Sequence, residues 1–214
     1  MTGIEDNRLF MDMTRGALVW CEDAQTGYFP VAAPVYDQAY FDRYAAQADG
    51  PIGKALNEAR CDLVSRHWGG GVLDVGIGCG AFLLARQSEG IETDKGADIN
   101  PAGVEWLQAR GMFSTLVARP GAATFWDRLE HMDRPNVALQ CVKTVAFVSL
   151  PIFRDAHHAR TSKHFRPDEH YWYWTRAGFI WFAERCGFSV IEHNTMESLA
   201  GREDIETFVL ARRE

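Results

Sequence analysis

The segment VLDVGIGCGAF combines an apolar run with a turn that has glycines on alternate positions, Gly76, Gly78 and Gly80. Glycine accepts positive φ and lets a ligand reach the backbone without an intervening Cβ. The spacing fits GxGxG, and together with Ala81 it also fits the GxGxxA variant of the dinucleotide fingerprint. The glycines therefore indicate a bound nucleotide and leave two ligand classes open, an S-adenosyl nucleoside and a nicotinamide dinucleotide.

Two aspartates near this turn narrow the choice. Asp74 lies two positions before Gly76, inside a strand that is normally apolar in nicotinamide-binding proteins. A carboxylate there can act on a ligand ammonium group or hold the glycine loop through its N–H groups, and only the S-adenosyl class, with its amino-acid tail, supplies that ammonium. Asp98 ends the next predicted strand, where a carboxylate accepts both hydroxyls of a ribose in either class.

The elements that must position these residues alternate between strands and helices. Strands are expected at residues 72–75, 93–99, 113–117, 122–126, 143–151, 189–194 and 204–211, and helices at 53–67, 81–88, 101–110, 136–141 and 175–187. Such alternation predicts an α/β fold with a mostly parallel sheet and helices on both faces. The last two strands have no helix between them and predict an antiparallel hairpin. Ligands bind at the carboxyl ends of strands in such sheets, where the glycine turn lies.

Three stretches in the same order resemble one family. VLDVGIGCGAF with GADINPAGVEWLQARG is similar to motif I and the second-strand motif of class I S-adenosylmethionine-dependent methyltransferases. TFWDRLEHMDRP is similar to their LEH segment after the fourth strand, and EHYWYWTRAGFIWFAERCGFSVIEHN to their fifth helix, GF turn and sixth strand. The resemblance covers roughly residues 53–212.

The resemblance implies a Rossmann-like three-layer sandwich, a seven-stranded sheet with an antiparallel last strand, and S-adenosyl-L-methionine as cofactor, with S-adenosyl-L-homocysteine as product. It places Asp74 and the three glycines along the methionine and ribose side of the cofactor and Asp98 on the ribose hydroxyls. It further places Ile99 against the adenine, and Trp126 and Asp127 beside the methionine moiety. The segment ARPGA, between the third and fourth strands, lacks the acid that binds the adenine amino group in many members.

Histidines are the candidates for a general base, because their ordinary pKa lies near working pH. His131 closes the LEH segment beside the expected cofactor, although it could instead cap or pack the following helix. His164 and His170 lie in SKHFRPDEHYWYW, part of the segment 151–174, which is expected to run over the site as a loop, with substrate contacts from Lys163, Glu169 and Tyr171. A solvated connector whose aromatic residues pack into the core is the alternative.

The N-terminal region is expected to differ from the rest of the chain. Residues 16–31 could form two short strands joined by a polar turn, and an aromatic arm at residues 36–44 would supply Tyr40 and Tyr44 as substrate contacts. That arm could be a lid over the ligand or could merely cover the edge of the core. The sequence thus divides into an N-terminal arm or lid, residues 1–50, and a methyltransferase domain, residues 51–214.

The composition of the chain limits the kinds of acceptor and partner that it is expected to bind. The 214 residues carry a formal net charge of −7, which disfavours a large phosphate-binding surface, and the Asn/Asp-Pro-Pro-aromatic and Pro-Cys signatures of nucleic-acid methylation are absent. We therefore expect a small-molecule acceptor rather than DNA or RNA. The five scattered cysteines and the lack of a long apolar run predict a cytoplasmic protein without a membrane span. No spacing in HHARTSKH or EH predicts a metal site.

The sequence is thus expected to encode a methyltransferase that uses S-adenosyl-L-methionine and acts at oxygen on a small or medium-sized acceptor. Two alternatives remain. An NAD-dependent oxidoreductase is permitted by GxGxxA but disfavoured by Asp74 and the C-terminal hairpin. A non-catalytic S-adenosylmethionine-binding protein is also compatible with the sequence, since fold does not fix function.

Overall fold

The computed structural model describes residues 17–30 and 36–214, so residues 1–16 and 31–35 of the predicted N-terminal arm lie outside the described residues. The strands are β1 (Val19–Cys21), β2 (Thr26–Tyr28), β3 (Leu73–Val75), β4 (Lys95–Ala97), β5 (Ala122–Trp126), β6 (Val145–Phe153), β7 (Trp172–Thr175), β8 (Phe188–Asn194) and β9 (Ile205–Arg212). The helices are α1 (Gln38–Ala48), α2 (Pro51–His67), α3 (Ala81–Ser88), α4 (Pro101–Ala109), α5 (Pro135–Cys141), α6 (Ala156–Thr161), α7 (Arg176–Arg185) and α8 (Met196–Leu199).

These strands form one mixed sheet centred on β6. The path runs β1-β2-β7-β6-β5-β3-β4, and β9 pairs with both β6 and β8. The central pairs, from β4 through β3 and β5 to β6, are parallel, whereas β9 is antiparallel to β6 and to β8. The predicted α/β fold with a mostly parallel sheet and an antiparallel C-terminal hairpin is confirmed.

Alternate side chains of the central strands enter two separate cores, one on each face of the sheet. Ala146 and Val148 of β6 pack in a core with residues of α5 and α7, whereas Val145 and Phe147 pack in a second core with residues of α2. Because successive side chains of a strand point to opposite faces, a strand that is covered on both faces has a continuous run of apolar residues in its sequence. All nine residues of β6 are buried accordingly. Helices thus cover both faces, as a three-layer sandwich requires.

The predicted third strand at residues 113–117 is wrong. Phe113 forms one isolated parallel bridge with Gly96, and the chain then enters a short 3-10 helix at Leu116–Ala118. Arg119 follows with φ of 51°, and Pro120 supplies no N–H, so the stretch cannot continue as a strand. The chain contacts the edge of the sheet there without extending it.

The interpretation of residues 151–174 as a loop over the site is also wrong. This segment holds the end of β6, helix α6 and most of β7, which pairs in parallel with the last two residues of β6. WYWT lacks the alternation that marks a half-buried strand, because Tyr173 and Trp174 are both buried. Both ends of this segment therefore belong to the sheet, whereas residues 162–171 form turns between α6 and β7.

The two short strands expected near the N-terminus are confirmed as the hairpin of β1 and β2, which pairs through β2 with β7. Helix α1 follows the second undescribed stretch, and its first turn is capped by Asp37, whose carboxylate accepts a hydrogen bond from the Tyr40 N–H at 2.9 Å. Over residues 17–30 and 36–214, the longest helices are too short or too polar to cross a membrane.

Candidate functional site

A cavity of about 610 Å³ opens at the carboxyl ends of β3, β4 and β5. The glycine turn after β3 forms one wall, and helix α1 and the start of α2 form another. The loop after β5 and the segment at Gly201 and Arg202 complete the cavity. This is the place where parallel α/β sheets bind ligands, and its volume suits a nucleotide-sized molecule.

The three glycines of the turn have different functions. All three adopt positive φ, between 58° and 81°, which favours glycine. Gly76 and Gly78 line the cavity, but Gly80 does not. A Cβ on Gly80 would lie 2.5 Å from the Trp106 ring, so this glycine permits close packing of α3 on α4. The predicted cofactor contact of Gly80 is therefore not part of the cavity wall.

Asp74 reaches the cavity from inside the sheet. Its carboxylate is buried and accepts a hydrogen bond from the Thr124 hydroxyl at 2.6 Å. Burial raises the pKa of Asp74 from 3.8 to about 7, although the Thr124 hydrogen bond and the charge of Arg60 act in the opposite direction. A carboxyl group so poised gains its charge most readily when a cation, such as a ligand ammonium, comes close.

Asp98 lies at the opposite end of the same wall, where β4 leaves the sheet. Its Oδ1 accepts a hydrogen bond from the Asn100 N–H at 2.8 Å. The Asn100 side chain caps α4 through the Ala102 N–H and donates to the backbone oxygen of Asp37, which joins this wall to the start of α1. Asn100 also lines the cavity, a contact that sequence analysis missed. Ile99 points outward, is 64% exposed and does not line the cavity.

The loop after β5 carries Trp126 and Asp127, which both line the cavity as expected. Two arginines that sequence analysis missed hold them in place. The Arg60 guanidinium lies 4.8 Å from the centre of the Trp126 ring, and Arg202 donates to the Asp127 carboxylate at 2.7 Å. Both arginines also bind the buried Glu197. No local pattern marks them, because they lie on α2 and after α8, far from Asp127 in the sequence.

This ion cluster fixes the charge of Asp127. Burial acts to raise the pKa of Asp127, but the positive charges of Arg202 and Arg60 outweigh burial and lower it. Asp127 is thus a carboxylate that is already paired, unlike Asp74. The cavity wall consequently presents both signs of charge, with acids in β3 and just after β4 and β5, and with arginines on α2 and after α8.

Three tyrosines on one side of the cavity form a ladder that begins just before α1. Tyr36 packs against Tyr40 with ring centres 5.0 Å apart, and Tyr40 packs against Tyr44 at 4.8 Å. The hydroxyls of Tyr40 and Tyr44 are hydrogen-bonded at 3.2 Å. All three rings line the cavity, so the structure places the predicted contacts Tyr40 and Tyr44 on its wall. Tyr40 and Tyr44, four residues apart in α1, lie on one face of the helix, and Tyr36 extends the ladder before the helix begins.

The fold brings together two of the three histidines that were predicted to act in catalysis, His131 and His170. His131 lines the cavity, and His170 lies behind it, buried, with the two ring centres 4.5 Å apart. Burial lowers the pKa of His131 to about 3 and lowers that of His170 well below its ordinary value. Glu130 lies beside both rings, and burial raises its pKa well above the ordinary value.

The structure does not bring His164 or the predicted substrate residues of its segment to the cavity wall. His164 Nε2 lies 2.8 Å from the backbone oxygen of Glu203, and Lys163 forms an exposed ion pair with the Glu203 carboxylate. Glu169 accepts a hydrogen bond from Arg166, and Tyr171 stacks on Tyr28, with ring centres 6.4 Å apart. These contacts tie the segment to Glu203, Arg166 and Tyr28, and none of these four predicted residues lines the cavity.

The doubly wound sheet and the cavity at its carboxyl edge define a nucleotide-binding α/β domain. A methyltransferase domain family matches residues 44–193, which is more than half of the chain. The chain belongs to this methyltransferase domain family. Comparison with curated protein sequences finds no match.

Solved structures share this fold at low sequence identity. The 1,6-didemethyltoxoflavin-N1-methyltransferase of Burkholderia thailandensis, with bound 1,6-didemethyltoxoflavin and S-adenosylhomocysteine, has a TM-score of 0.58 at 16% identity over 92% of this chain and 99% of that one. The [4+2]-cyclase SpnF has a TM-score of 0.56 at 15% identity over 87% and 98%. Magnesium protoporphyrin IX methyltransferase from Synechocystis PCC 6803 has a TM-score of 0.56 at 14% identity over 82% and 95%. At these identities the likeness establishes the fold alone.

Proposed function

We propose that this protein binds S-adenosyl-L-methionine in the cavity and transfers its methyl group to a small or medium-sized acceptor, at a hydroxyl oxygen. The observation that carries the proposal is the convergence of Asp74, Gly76, Gly78 and Asp98 on one cavity at the carboxyl edge of the sheet. Family membership supports the reaction class. Two of the similar structures hold S-adenosylhomocysteine, which supports the cofactor.

The charges around the cavity favour a zwitterionic ligand over a pyrophosphate. The amino-acid tail of S-adenosylmethionine carries an ammonium, which Asp74 would accept, and a carboxylate, for which Arg60 and Arg202 provide positive charge near Asp127. A dinucleotide would instead bring two phosphate charges to the turn that is backed by buried Asp74. The alternative of an NAD-dependent oxidoreductase is disfavoured for this reason.

In the proposed reaction, a lone pair of the acceptor attacks the methyl carbon in line with the C–S bond. That bond breaks, the sulfur keeps the electron pair, and S-adenosyl-L-homocysteine leaves as a neutral thioether. In-line positioning alone can contribute about 7–11 kcal/mol. The walls that would position the acceptor are the ladder Tyr36, Tyr40 and Tyr44 and the loop that carries His131. We propose that the ladder acts as a lid, as part of an N-terminal arm, residues 1–50, on a methyltransferase domain, residues 51–214.

A hydroxyl acceptor must also lose its proton. His131 is the histidine on the cavity wall and would accept this proton, while its burial, which lowers its pKa to about 3 in the free protein, opposes that step. His170 contacts that ring from behind and would position it. We do not retain His164 in this role, because its ring lies against the Glu203 backbone.

A small acceptor is favoured by the form of the site. The cavity is bounded by aromatic and charged side chains, and the net charge of −7 disfavours DNA or RNA. We further propose a cytoplasmic location, because all five cysteines, each within the described part of the chain, are free thiols.

The first test is calorimetric titration with S-adenosylmethionine, S-adenosylhomocysteine and NAD in parallel. We expect micromolar affinity for the two adenosyl ligands and none for NAD. Asp98→Ala should weaken adenosyl binding about tenfold or more, because the ribose hydroxyls lose their acceptor. Asp62→Ala, which removes an exposed carboxylate outside the cavity wall, is the matched control.

Binding of NAD alone would overturn the proposal in favour of an oxidoreductase. Unchanged affinity in Asp98→Ala would overturn the ribose assignment. A protein that binds the cofactor but transfers no methyl group to any acceptor in a broad screen would be the non-catalytic alternative. The cyclase among the similar structures illustrates that this fold also occurs in a protein named for a different reaction.

A further inference from the structure

Glu130, His131 and His170 form a compact cluster beside the cavity. One ligand atom from each lies within 4.8 Å of the other two. Glu130 and His131 belong to the 3-10 turn Leu129–His131, and His170 precedes β7. The Tyr171 N–H donates to the Glu130 backbone oxygen at 2.8 Å and ties the two segments together. The cluster therefore depends on long-range strand packing and not on a local motif.

The polar atoms of this cluster are buried without partners. Both carboxylate oxygens of Glu130 and Nδ1 of His131 and of His170 have no hydrogen-bond partner in the described chain. Glu130 is 1% exposed and His170 is 2% exposed. A buried polar group without a hydrogen bond costs about 1–3 kcal/mol in proteins, and such groups are rare enough to require an explanation. Four such atoms at one place point to a shared partner.

We propose that Glu130, His131 and His170 bind a divalent transition-metal ion of the Mn²⁺ to Zn²⁺ series. Imidazole nitrogens together with a carboxylate are a ligand set that these ions prefer, whereas Mg²⁺ and Ca²⁺ prefer oxygen ligands alone. Metal bonds would give a partner to both rings and to the carboxylate at once. A hydrogen bond is the alternative to a metal ion, but one shared proton would join only two of the three groups and leave the third without a partner. The structure shows no hydrogen bond among the three.

The surroundings hold the three side chains in place, as a metal site requires. The His131 and His170 rings are nearly perpendicular, at 83°, and the His170 ring packs near Tyr173. The His170 N–H donates to the Arg166 backbone oxygen at 2.7 Å, and the Tyr173 hydroxyl accepts from the Arg166 N–H at 3.2 Å. The turn that carries His170 is thereby fixed by its own backbone hydrogen bonds and by Tyr173.

The position of the cluster gives the ion a part in activating the acceptor, and this part of the inference rests on the proposed methyl transfer. His131 lines the cavity, so an ion bound there would lie at its wall. Three protein ligands leave at least one coordination position for water or for an oxygen of the acceptor. A hydroxyl bound to a divalent metal loses its proton more readily than a free hydroxyl. The ion would then replace the neutral His131 ring as the group that activates the acceptor.

The test uses the full chain without an affinity tag, stripped with a chelator and titrated with Co²⁺ while visible absorption is recorded. Zn²⁺ and Mn²⁺ content is measured in parallel by mass spectrometry after equilibrium dialysis. We expect one equivalent bound, with ligand-field bands from nitrogen and oxygen ligands. Glu130→Gln and His170→Ala should each weaken binding at least tenfold. His193→Ala is the matched control, because His193 forms a single ion pair with Glu206 outside the cluster.

Absence of metal binding to the wild-type chain would overturn the proposal. Equal binding by the wild type, Glu130→Gln and His170→Ala would also overturn it, because the ion would then bind elsewhere. Circular dichroism shows whether each variant is folded, and the nearly isosteric Glu130→Gln keeps the test valid if His170→Ala does not fold. Metal content and S-adenosylmethionine affinity are separate readouts, so failure of this inference is distinguishable from failure of the proposed function.

Discussion

Asp74→Asn should stabilise the free protein, and the gain should increase with pH. Burial raises the pKa of Asp74 from 3.8 to about 7. Below about pH 4 the carboxyl group is protonated in both the folded and the unfolded chain. As pH rises from 4 to 7, the unfolded chain releases this proton before the folded chain does, so the contribution of Asp74 to stability falls. Above pH 7 the full cost of a buried carboxylate is present.

The magnitude follows from the two pKa values. Each pKa unit corresponds to about 1.36 kcal/mol, so ionised Asp74 costs the folded state on the order of 4 kcal/mol at pH 8. Most of that cost arises above pH 5, and the advantage of Asp74→Asn over the wild type should grow by roughly 2–3 kcal/mol between pH 5 and pH 8. Asparagine keeps an oxygen that can accept the 2.6 Å hydrogen bond from Thr124, so this bond is not lost.

The assay is guanidinium denaturation of both proteins at pH 5 and pH 8, without ligand. Asp62→Asn is the matched control, because it removes the same charge from an exposed position on α2 outside the cavity wall. The same Asp74→Asn variant should bind S-adenosylmethionine more weakly than the wild type, because the amide cannot neutralise an ammonium group. A free-energy difference between Asp74→Asn and the wild type that is the same at both pH values would refute the reasoning, whatever the effect on binding.

Two further substitutions test the packing that supports the site. Gly80→Ala should destabilise the protein by about 2–4 kcal/mol in urea denaturation, because positive φ costs roughly 1–2 kcal/mol and the new Cβ would also clash with the Trp106 ring. Gly90→Ala has a similar φ of 88° but open space around the new Cβ, so it should cost less in the same assay. Equal losses in the two variants would exclude the Trp106 contact as the cause. Arg86→Met should lower the free energy of unfolding by about 3–5 kcal/mol, because it removes the guanidinium that lies 2.7 Å from the buried Asp94 carboxylate. A melting temperature within a degree of the wild type would contradict this.

The sequence predicted best the parts of the fold that depend on neighbouring residues. Periodicity placed α3 and β5 at the residues where they occur, Ala81–Ser88 and Ala122–Trp126. The glycine turn and Asp98 were found for the same reason, because the strand, the turn and the helix are continuous in the chain. In contrast, β7 was missed, because Trp172–Thr175 becomes a strand only through its pairing with β2 and the end of β6.

The same distinction explains the two halves of the cavity. The wall with Asp74 and Asp98 comes from one βαβ unit, so its chemistry can be read in order along the chain. Arg60 reaches Asp127 from α2 and Arg202 reaches it from beyond α8, and both bind Glu197, which is buried under β6 through its hydrogen bond to Ser149. A charge is retained at such a depth only when its partners are present. The sequence therefore identified Asp127 but gave no indication of the two arginines that pair with it.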